Sequence, residues 1–314
     1  MTLPHRTSRA RLLPARTGLA ALAVVAAAGL LAGCGEDPTT TAADTGEATP
    51  AETASSEPAE ETTSEPAPAE ETTTAGTTVP VYFTGDSPQG TRLYREFRQV
   101  DGDPLTAAAQ LLVSGDALDP DYGTLLGDLS VDSVTDDGST ITVALSEDTA
   151  LTLDKSAPPA DAEVAVQSLV YTLQGVAGSR EPVVVEQAGT PVDLLGQPTS
   201  TGVEAADELD VLALVNVTSP ESGAALSGTV TVSGVASSFE ATVPWEVRND
   251  SGASVLSGFA TAEGWIDGLY PWESEVDLSG LAPGDYTFAA MTDDPSGGAE
   301  GPGPYEDTKA ITVG

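Results

Sequence analysis

Gly228-Thr-Val-Thr-Val-Ser-Gly-Val-Ala-Ser-Ser-Phe-Glu-Ala-Thr-Val-Pro-Trp-Glu-Val-Arg248 contains two short strand-like runs and no helical period. In the second run Ala241, Val243, Trp245 and Val247 alternate with Thr242, Pro244 and Glu246. Successive strand residues point to opposite faces, so this is the pattern of a strand buried on one side. It recurs through the rest of this half of the chain, in runs near 211–217, 228–234, 240–248, 253–260, 271–278, 285–291 and 307–313. Pro220-Glu-Ser-Gly223, Asn249-Asp-Ser-Gly252, Pro283-Gly284 and Ser296-Gly-Gly298 supply turns between runs. About seven short alternating strands in this space predict an all-β immunoglobulin-like sandwich over 211–314. Pro244 has no amide hydrogen for a ladder, which predicts an edge position or a bulge there.

Upstream, Thr199 to Asp210 reads as a short polar joint, so the two halves are expected to fold independently. The half before it mixes periods. Val79-Pro-Val-Tyr-Phe83 begins an N-terminal strand pair. Asp103-Pro104 supplies a helix cap and first position, and Leu105, Ala108, Leu111 and Leu112 form a stripe up to Gly115. Residues 131–134 and 140–145 read as strands around the hairpin signal Asp136-Asp-Gly138. A second helix, capped by Asp161, carries Ala162, Ala165, Val166, Leu169, Leu173 and Val176 at helical spacing, and Gly178 ends it. Val183-Val-Val185 closes the unit before a turn at Ala188-Gly189. This order predicts an α+β domain over 79–198.

The N-terminus carries a different message. His5, Arg6, Arg9, Arg11 and Arg16 precede an uninterrupted Gly, Leu, Ala and Val run from Gly18 to Leu31. A basic segment followed by a short apolar one is the layout of a secretory signal peptide, here 1–33. The run is shorter than the ~20 residues of a spanning helix. Leu31-Ala32-Gly33-Cys34 resembles the lipobox of bacterial lipoproteins. That resemblance implies a diacylglyceryl thioether on Cys34, cleavage before it, and acylation (palmitate or a similar chain) of the new amine. The protein would then sit on the extracytoplasmic face of the cell membrane, since two or three acyl chains anchor stably. From 34 to 78 the chain is rich in Thr, Glu, Pro and Ala, with 11 acids, no base and no aromatic residue. Such a segment cannot bury enough apolar surface to offset its ordering entropy, which predicts a disordered linker.

Composition removes many functions. The chain holds 49 acidic and 11 basic residues, a net charge of −38. Loss of the signal would leave seven basic residues and a net −42. Nucleic acid is excluded as a partner, because phosphate binding needs a basic face. The one His and one Cys are His5 and Cys34, so a mature chain cannot build Ser-His-Asp, Cys-His or His-ligated zinc sites. No nucleophile elbow, phosphate-binding loop or dinucleotide fingerprint is present. The expectation is a non-enzyme with no catalytic residues, cofactor or metal. Asp116, Asp119 and Asp121 form one acidic cluster; Asp293, Asp294, Glu300, Glu306 and Asp307 form another. Neither has calcium-loop spacing, and both read as solvated loops. Two groups are candidates for partner contact. Arg92, Arg95 and Arg98 read as a local positive patch or a solvated strand face, with self-association as one use. In Gly264-Trp265-Ile-Asp-Gly-Leu-Tyr270 the glycines break any strand period, so Trp265 and Tyr270 read as contact aromatics or as cover for the sandwich end.

Pro104-Leu-Thr-Ala-Ala-Ala-Gln-Leu-Leu-Val-Ser-Gly115, Gln167-Ser-Leu-Val-Tyr-Thr-Leu173 and the flanking strands resemble the GerMN domain of spore-germination lipoproteins, which also occurs in envelope lipoproteins of actinobacteria. Ser219-Pro220, Gly223, Gly228 to Ala236, Phe239-Glu-Ala241, Asp285-Tyr-Thr-Phe288 and Asp307 to Val313 resemble the immunoglobulin-like domain of bacterial spore germination (Gmad type), with Pro271-Trp272 where relatives have Pro-Phe. The resemblance implies no catalytic residues. It implies a lipoprotein that binds or scaffolds in sporulation- or germination-type envelope assemblies, partnered by the membrane through Cys34 and by an envelope protein or peptidoglycan. The alternative is a cell-wall glycan-binding module.

Overall fold

The computed structural model describes residues 76–152, 159–296, 299 and 303–314. Cys34, its lipobox Leu31, Ala32 and Gly33, and the linker as far as Ala75 lie outside the described residues. Among the described residues no helix is long and apolar enough to cross a membrane.

The first half opens with a long hairpin. β1 (Thr77–Ser87) pairs with β2 (Gly90–Val100), Thr77 opposite Val100 and Ser87 opposite Gly90. Regular structure thus starts at Thr77, two residues before the expected start, because the β2 partners reach that far. α1 (Pro104–Ser114) is capped as its sequence dictates. The Asp103 carboxylate accepts the Thr106 N–H at 2.9 Å, Pro104 occupies the first turn, and Gly115 closes the end at φ 68. β3 (Tyr122–Gly123) pairs with the other edge of β1. β4 (Val131–Asp136) and β5 (Ile141–Leu145) form the expected hairpin, its turn fastened by Asp137, which accepts the Ser139 and Thr140 N–H groups at 2.9 Å. α2 (Pro159–Ala177) leads to β6 (Val183–Gln187), parallel to β5, and β7 (Thr190–Pro191) completes a four-stranded sheet in the order β4-β5-β6-β7. Asp161 lies inside the first turn of α2 and accepts Thr91 Oγ1, so it is not the cap. Phe83, Leu112, Ile141, Leu169, Leu173 and Leu194 fill the α+β core.

The segment expected as a polar joint is packed. Val203 exchanges both backbone hydrogen bonds with Val183 at 2.9 Å, and Thr199 is buried, its hydroxyl bonding Val192 and Leu194. The backbone at Val203 thus extends the β4-β5-β6-β7 sheet before α3 (Glu208–Val211), capped by Asp207.

The second half is a two-sheet sandwich of β8 (Val215–Ser219), β9 (Ala224–Leu226), β10 (Thr229–Ala236), β11 (Thr242–Arg248), β12 (Ser254–Thr261), β13 (Tyr270–Asp277), β14 (Gly284–Met291) and β15 (Glu306–Val313). One sheet runs β13-β10-β8 and the other β12-β11-β14-β15-β9. Val232, Trp245, Val247, Trp272, Val276, Phe288 and Ile311 pack between them. The run expected near 211–217 begins as the end of α3 and becomes strand only at Val215. Pro244 lies in an inner strand, against expectation. It is tolerated because β14 pairs only with Trp245–Arg248, so no ladder bond is missing on that side. Gly234 has a packing reason: a Cβ there would stand 2.1 Å from the Asn216 carbonyl oxygen and 2.9 Å from the Trp272 ring.

Both halves belong to one compact unit. At their seam the Ala213 N–H donates to the Leu93 carbonyl at 3.0 Å. Leu93, Val164, Tyr171, Val211 and Leu212 form a shared apolar cluster against which Leu269 packs. Beside it lies a buried polar knot. Lys309 Nζ donates to Asp119 at 2.6 Å, to the Tyr122 hydroxyl, and to Asp307 at 3.1 Å. Tyr122 donates to Asp307 at 2.6 Å, and Asp307 also accepts the Val217 N–H at 2.6 Å and Asn216 Nδ2 at 3.1 Å. Asn216 Oδ1 in turn accepts the Arg95 N–H of β2 at 2.9 Å. Asp119 and Asp307, expected in solvated loops, are therefore buried around an ammonium carried by the chain itself. Removing one partner of a buried ion pair typically costs about 3–5 kcal/mol, because the other charge stays buried. Lys309→Met should lower stability by about that amount and split denaturant unfolding into two transitions, one per half. A single transition at the wild-type midpoint would show that the knot does not hold the seam.

Candidate functional site

The three arginines of β2 do not form one patch. A strand turns successive side chains to opposite faces, so spacing of three divides them. Arg98 donates to Glu96 at 3.1 Å and to the Asp116 carbonyl at 2.6 Å. Glu96 in turn accepts the Leu118 and Asp119 N–H groups at 3.0 and 2.9 Å, which positions Asp119 for Lys309. Arg92 bonds the neighbouring Thr91 carbonyl at 2.9 Å. Arg95 faces the second half, its guanidinium 4.8 Å from the centre of the Phe97 ring. The buried Nε atoms of Arg92 and Arg95 have no hydrogen-bond partner among the described residues.

The 264–270 loop also divides. Tyr270 opens β13 and packs on the sandwich core; its ring lies where a Cβ on Gly264 would clash at 2.6 Å, and its hydroxyl donates to Asp267 at 2.7 Å. Leu269 packs into the seam, and its N–H donates to Glu208 at 3.1 Å. Only Trp265 and Ile266 project. Trp265 meets the exposed ring of Phe239 edge-on, centroids 5.4 Å apart. Ile266 is 70% exposed at φ 78, a left-handed conformation that its branched side chain disfavours. The outcome is a strained, aromatic and aliphatic tip.

A second feature was not foreseen. A cleft of about 570 Å³, open to solvent, lies between the halves and is lined by Tyr82, Leu93, Arg95, Tyr171, Arg180, Glu208, Leu212, Ala213, Asn216, Val235 and Leu269. Residues from β1, β2, α2, α3 and β10 meet there. Arg180 lies 6.0 Å from the Tyr171 ring centre and donates to Gln174 at 3.3 Å. Tyr171 itself donates to the Ala206 carbonyl at 2.7 Å. No short motif marks these residues in the sequence; Arg180 stands out only as a cation in an acidic chain. Among the described residues no three His, Cys, Asp or Glu side chains are grouped to hold a metal ion.

Residues 80–193 match the family model Germane, described as sporulation and spore germination. Residues 214–299 match Gmad2, described as the immunoglobulin-like domain of bacterial spore germination. The chain therefore carries two germination-related domains, and they are a GerMN domain followed by a Gmad-type immunoglobulin-like domain. Neither description names an enzyme. No curated protein matches the chain significantly. Among solved structures, the tandem GerMN domains of the sporulation protein GerM from Bacillus subtilis are 16% identical with TM-score 0.32, over 64% of this chain and 62% of that one. An engineered protein is 17% identical with TM-score 0.27, over 48% of this chain and 36% of its own. The chain thus spans less than two thirds of either structure, and the domain assignment rests on the family models.

Charge and burial set the ionisation of the seam. Burial holds the Tyr122 phenol well above its usual value, and the nearby Asp307 adds to the effect. Burial likewise raises Tyr94, which stacks on Tyr122 with centroids 4.7 Å apart. Tyr171 is pushed up to about 12, chiefly by burial and then by Glu208. Burial also raises Asp307, against the pull of Lys309. A phenol raised in the folded state favours folding fully below the unfolded value near 10 and loses that contribution as pH rises beyond it. Stability should therefore fall steeply above about pH 10. In ultraviolet titration, Tyr94 and Tyr122 should ionise only as the chain unfolds. Full, reversible phenol titration of a folded chain at pH 10–11 would contradict this.

Proposed function

We propose that this protein is a lipid-anchored, extracytoplasmic component of the cell envelope that acts by binding, and that the Phe239, Trp265 and Ile266 tip meets an envelope protein partner. The observation that carries the contact is the combination of exposure and strain at Ile266. A branched residue held left-handed costs of order 1–3 kcal/mol, and a folded protein gains nothing from presenting it to water. Aromatic anchors flanked by aliphatics are the side chains on which partner surfaces usually depend. The anchor is supported by Leu31-Ala32-Gly33-Cys34 behind a basic and then apolar leader. The acidic linker would act as a spacer between the membrane and the folded unit. A non-catalytic role is supported by a sequence beyond Cys34 without His or Cys, and by a cleft that joins no nucleophile to a base. Peptidoglycan is the alternative partner, since an exposed Trp also stacks on sugars.

Two experiments bear on this reading. Cys34→Ala should leave the protein unprocessed or shed from membranes, because acyl chains supply nearly all the membrane affinity of so acidic a chain. Mature-size protein still fractionating with membranes would remove the anchor. At the tip, Trp265→Ala with Ile266→Gly should abolish partner crosslinking in envelope extracts. Ile266→Gly by itself should also reduce crosslinking and move the melting temperature by no more than about 2 °C, since the glycine relieves strain at an exposed position, whereas Trp265→Ala gives up the ring contact with Phe239. A fall of several degrees would make the tip structural cover, and retained crosslinking would place the contact elsewhere. Loss of binding to purified peptidoglycan instead would favour the glycan alternative.

A further inference from the structure

We infer that the cleft between the two domains is a binding site for the carboxylate end of a short peptide with small apolar side chains. This goes beyond the proposed partner contact at the tip and does not depend on it. The first ground is charge. Six cationic side chains lie among the described residues, and three of them are committed: Arg98 to Glu96, Arg248 to Glu246 and Glu306, and Lys309 to Asp119 and Asp307. Two of the other three, Arg95 and Arg180, line this one cleft. In a chain with 49 acids, carboxylate partners for both were readily available, yet neither forms an ion pair among the described residues.

The donors are also open. Among the described residues Arg95 makes no side-chain hydrogen bond, and its Nε is buried without a partner. That atom is closed to solvent, so an incoming anion would meet the terminal nitrogens of the guanidinium instead. Arg180 spends one N–H on Gln174, at 3.3 Å, and keeps the rest of its planar fork. Arginine forks bind carboxylates two bonds at a time, which suits them to a planar anion. Glu208 is the one acid in the lining, and one of its oxygens is already held by the Leu269 N–H at 3.1 Å. The lining therefore stays net positive, and the second Glu208 oxygen remains to accept a peptide N–H.

The remaining walls describe the rest of the ligand. Leu93, Leu212, Ala213, Val235 and Leu269 give an apolar floor, and the rings of Tyr82 and Tyr171, 5.4 Å apart, form one side. The enclosed part of the cleft is about 170 Å³, room for no more than a residue or two, which fits the end of a chain better than a segment running through. Because β2 supplies Arg95 and the loop between α2 and β6 supplies Arg180, with β10 and α3 giving the opposite wall, only the docked pair of domains makes the site. The knot at Lys309 thereby acquires a purpose beyond stability: it fixes the width of the cleft.

The test is calorimetric titration of the full chain with N-acetyl-trialanine, its C-terminal amide and inorganic phosphate. The free acid should bind at least about tenfold more tightly than the amide, the difference a charge-assisted pair makes. Arg180→Gln, an exposed position, should reduce acid binding about tenfold at an unchanged melting temperature, and Arg95→Gln should do the same where it still melts cooperatively. Equal binding of acid and amide, no heat with either, or wild-type affinity in Arg180→Gln would overturn the inference. Displacement of the peptide by an equal concentration of phosphate would overturn it too, by showing a general anion site.

Discussion

The ammonium group of Lys309 is the point on which the described structure turns. It is buried among Asp119, Tyr122 and Asp307, and protein groups meet its three donors. The geometry extends outward in both directions. On the first domain Arg98 orients Glu96, Glu96 holds the backbone around Asp119, and Asp119 takes the ammonium. On the second, Asp307 gathers the Val217 amide and the Asn216 side chain, and Asn216 reaches back to β2. A purely apolar seam would tolerate sliding, whereas this one admits a single register, because a displaced partner leaves a buried charge unanswered. The cleft inherits its shape from that register.

Much of the fold was legible from short-range chemistry. The cap, stripe and terminating glycine of α1 are all local signals, and each appears in the structure where the sequence places it. Seven of the eight sandwich strands overlap runs read from the sequence, and the short β9 was not among them. Where reading failed, a distant partner decided. Pro244 cannot reveal from its own segment that β14 stops pairing one residue away. The 199–210 segment is polar in composition, yet Val203 finds Val183 and Thr199 finds Leu194. Asp307 and Lys309 did carry a signal that composition obscured. They occupy the same phase of β15 as Ile311 and Val313, so charged residues sat on the inward face and required buried partners.

The candidate contact features differ in legibility for the same reason. The tip was visible because Gly264 and Gly268 break the strand period, leaving Trp265 and Ile266 without a core face to join. Tyr270 was misgrouped with them, since the strand resumes at that residue and turns its ring inward. The arginine spacing on β2 looked like a cluster in one dimension and became two faces in three. The cleft could not be read at all: its walls come from segments more than a hundred residues apart, each ordinary by itself.

The reach of the Lys309 contact has a temporal consequence. Asp119 and Lys309 are separated by 190 residues. Bringing such distant positions together is slow, since loop-closure entropy must be overcome before the contact stabilises anything. A chain delivered amino end first presents the GerMN domain long before β15 arrives, and until then Asp119 and Tyr122 face solvent. The early domain must therefore persist with an open flank, and the last strand both completes the sandwich and closes that flank. Assembly of the unit is thus gated by the arrival of β15, a built-in check that only a polypeptide extended through Val313 acquires the finished surface.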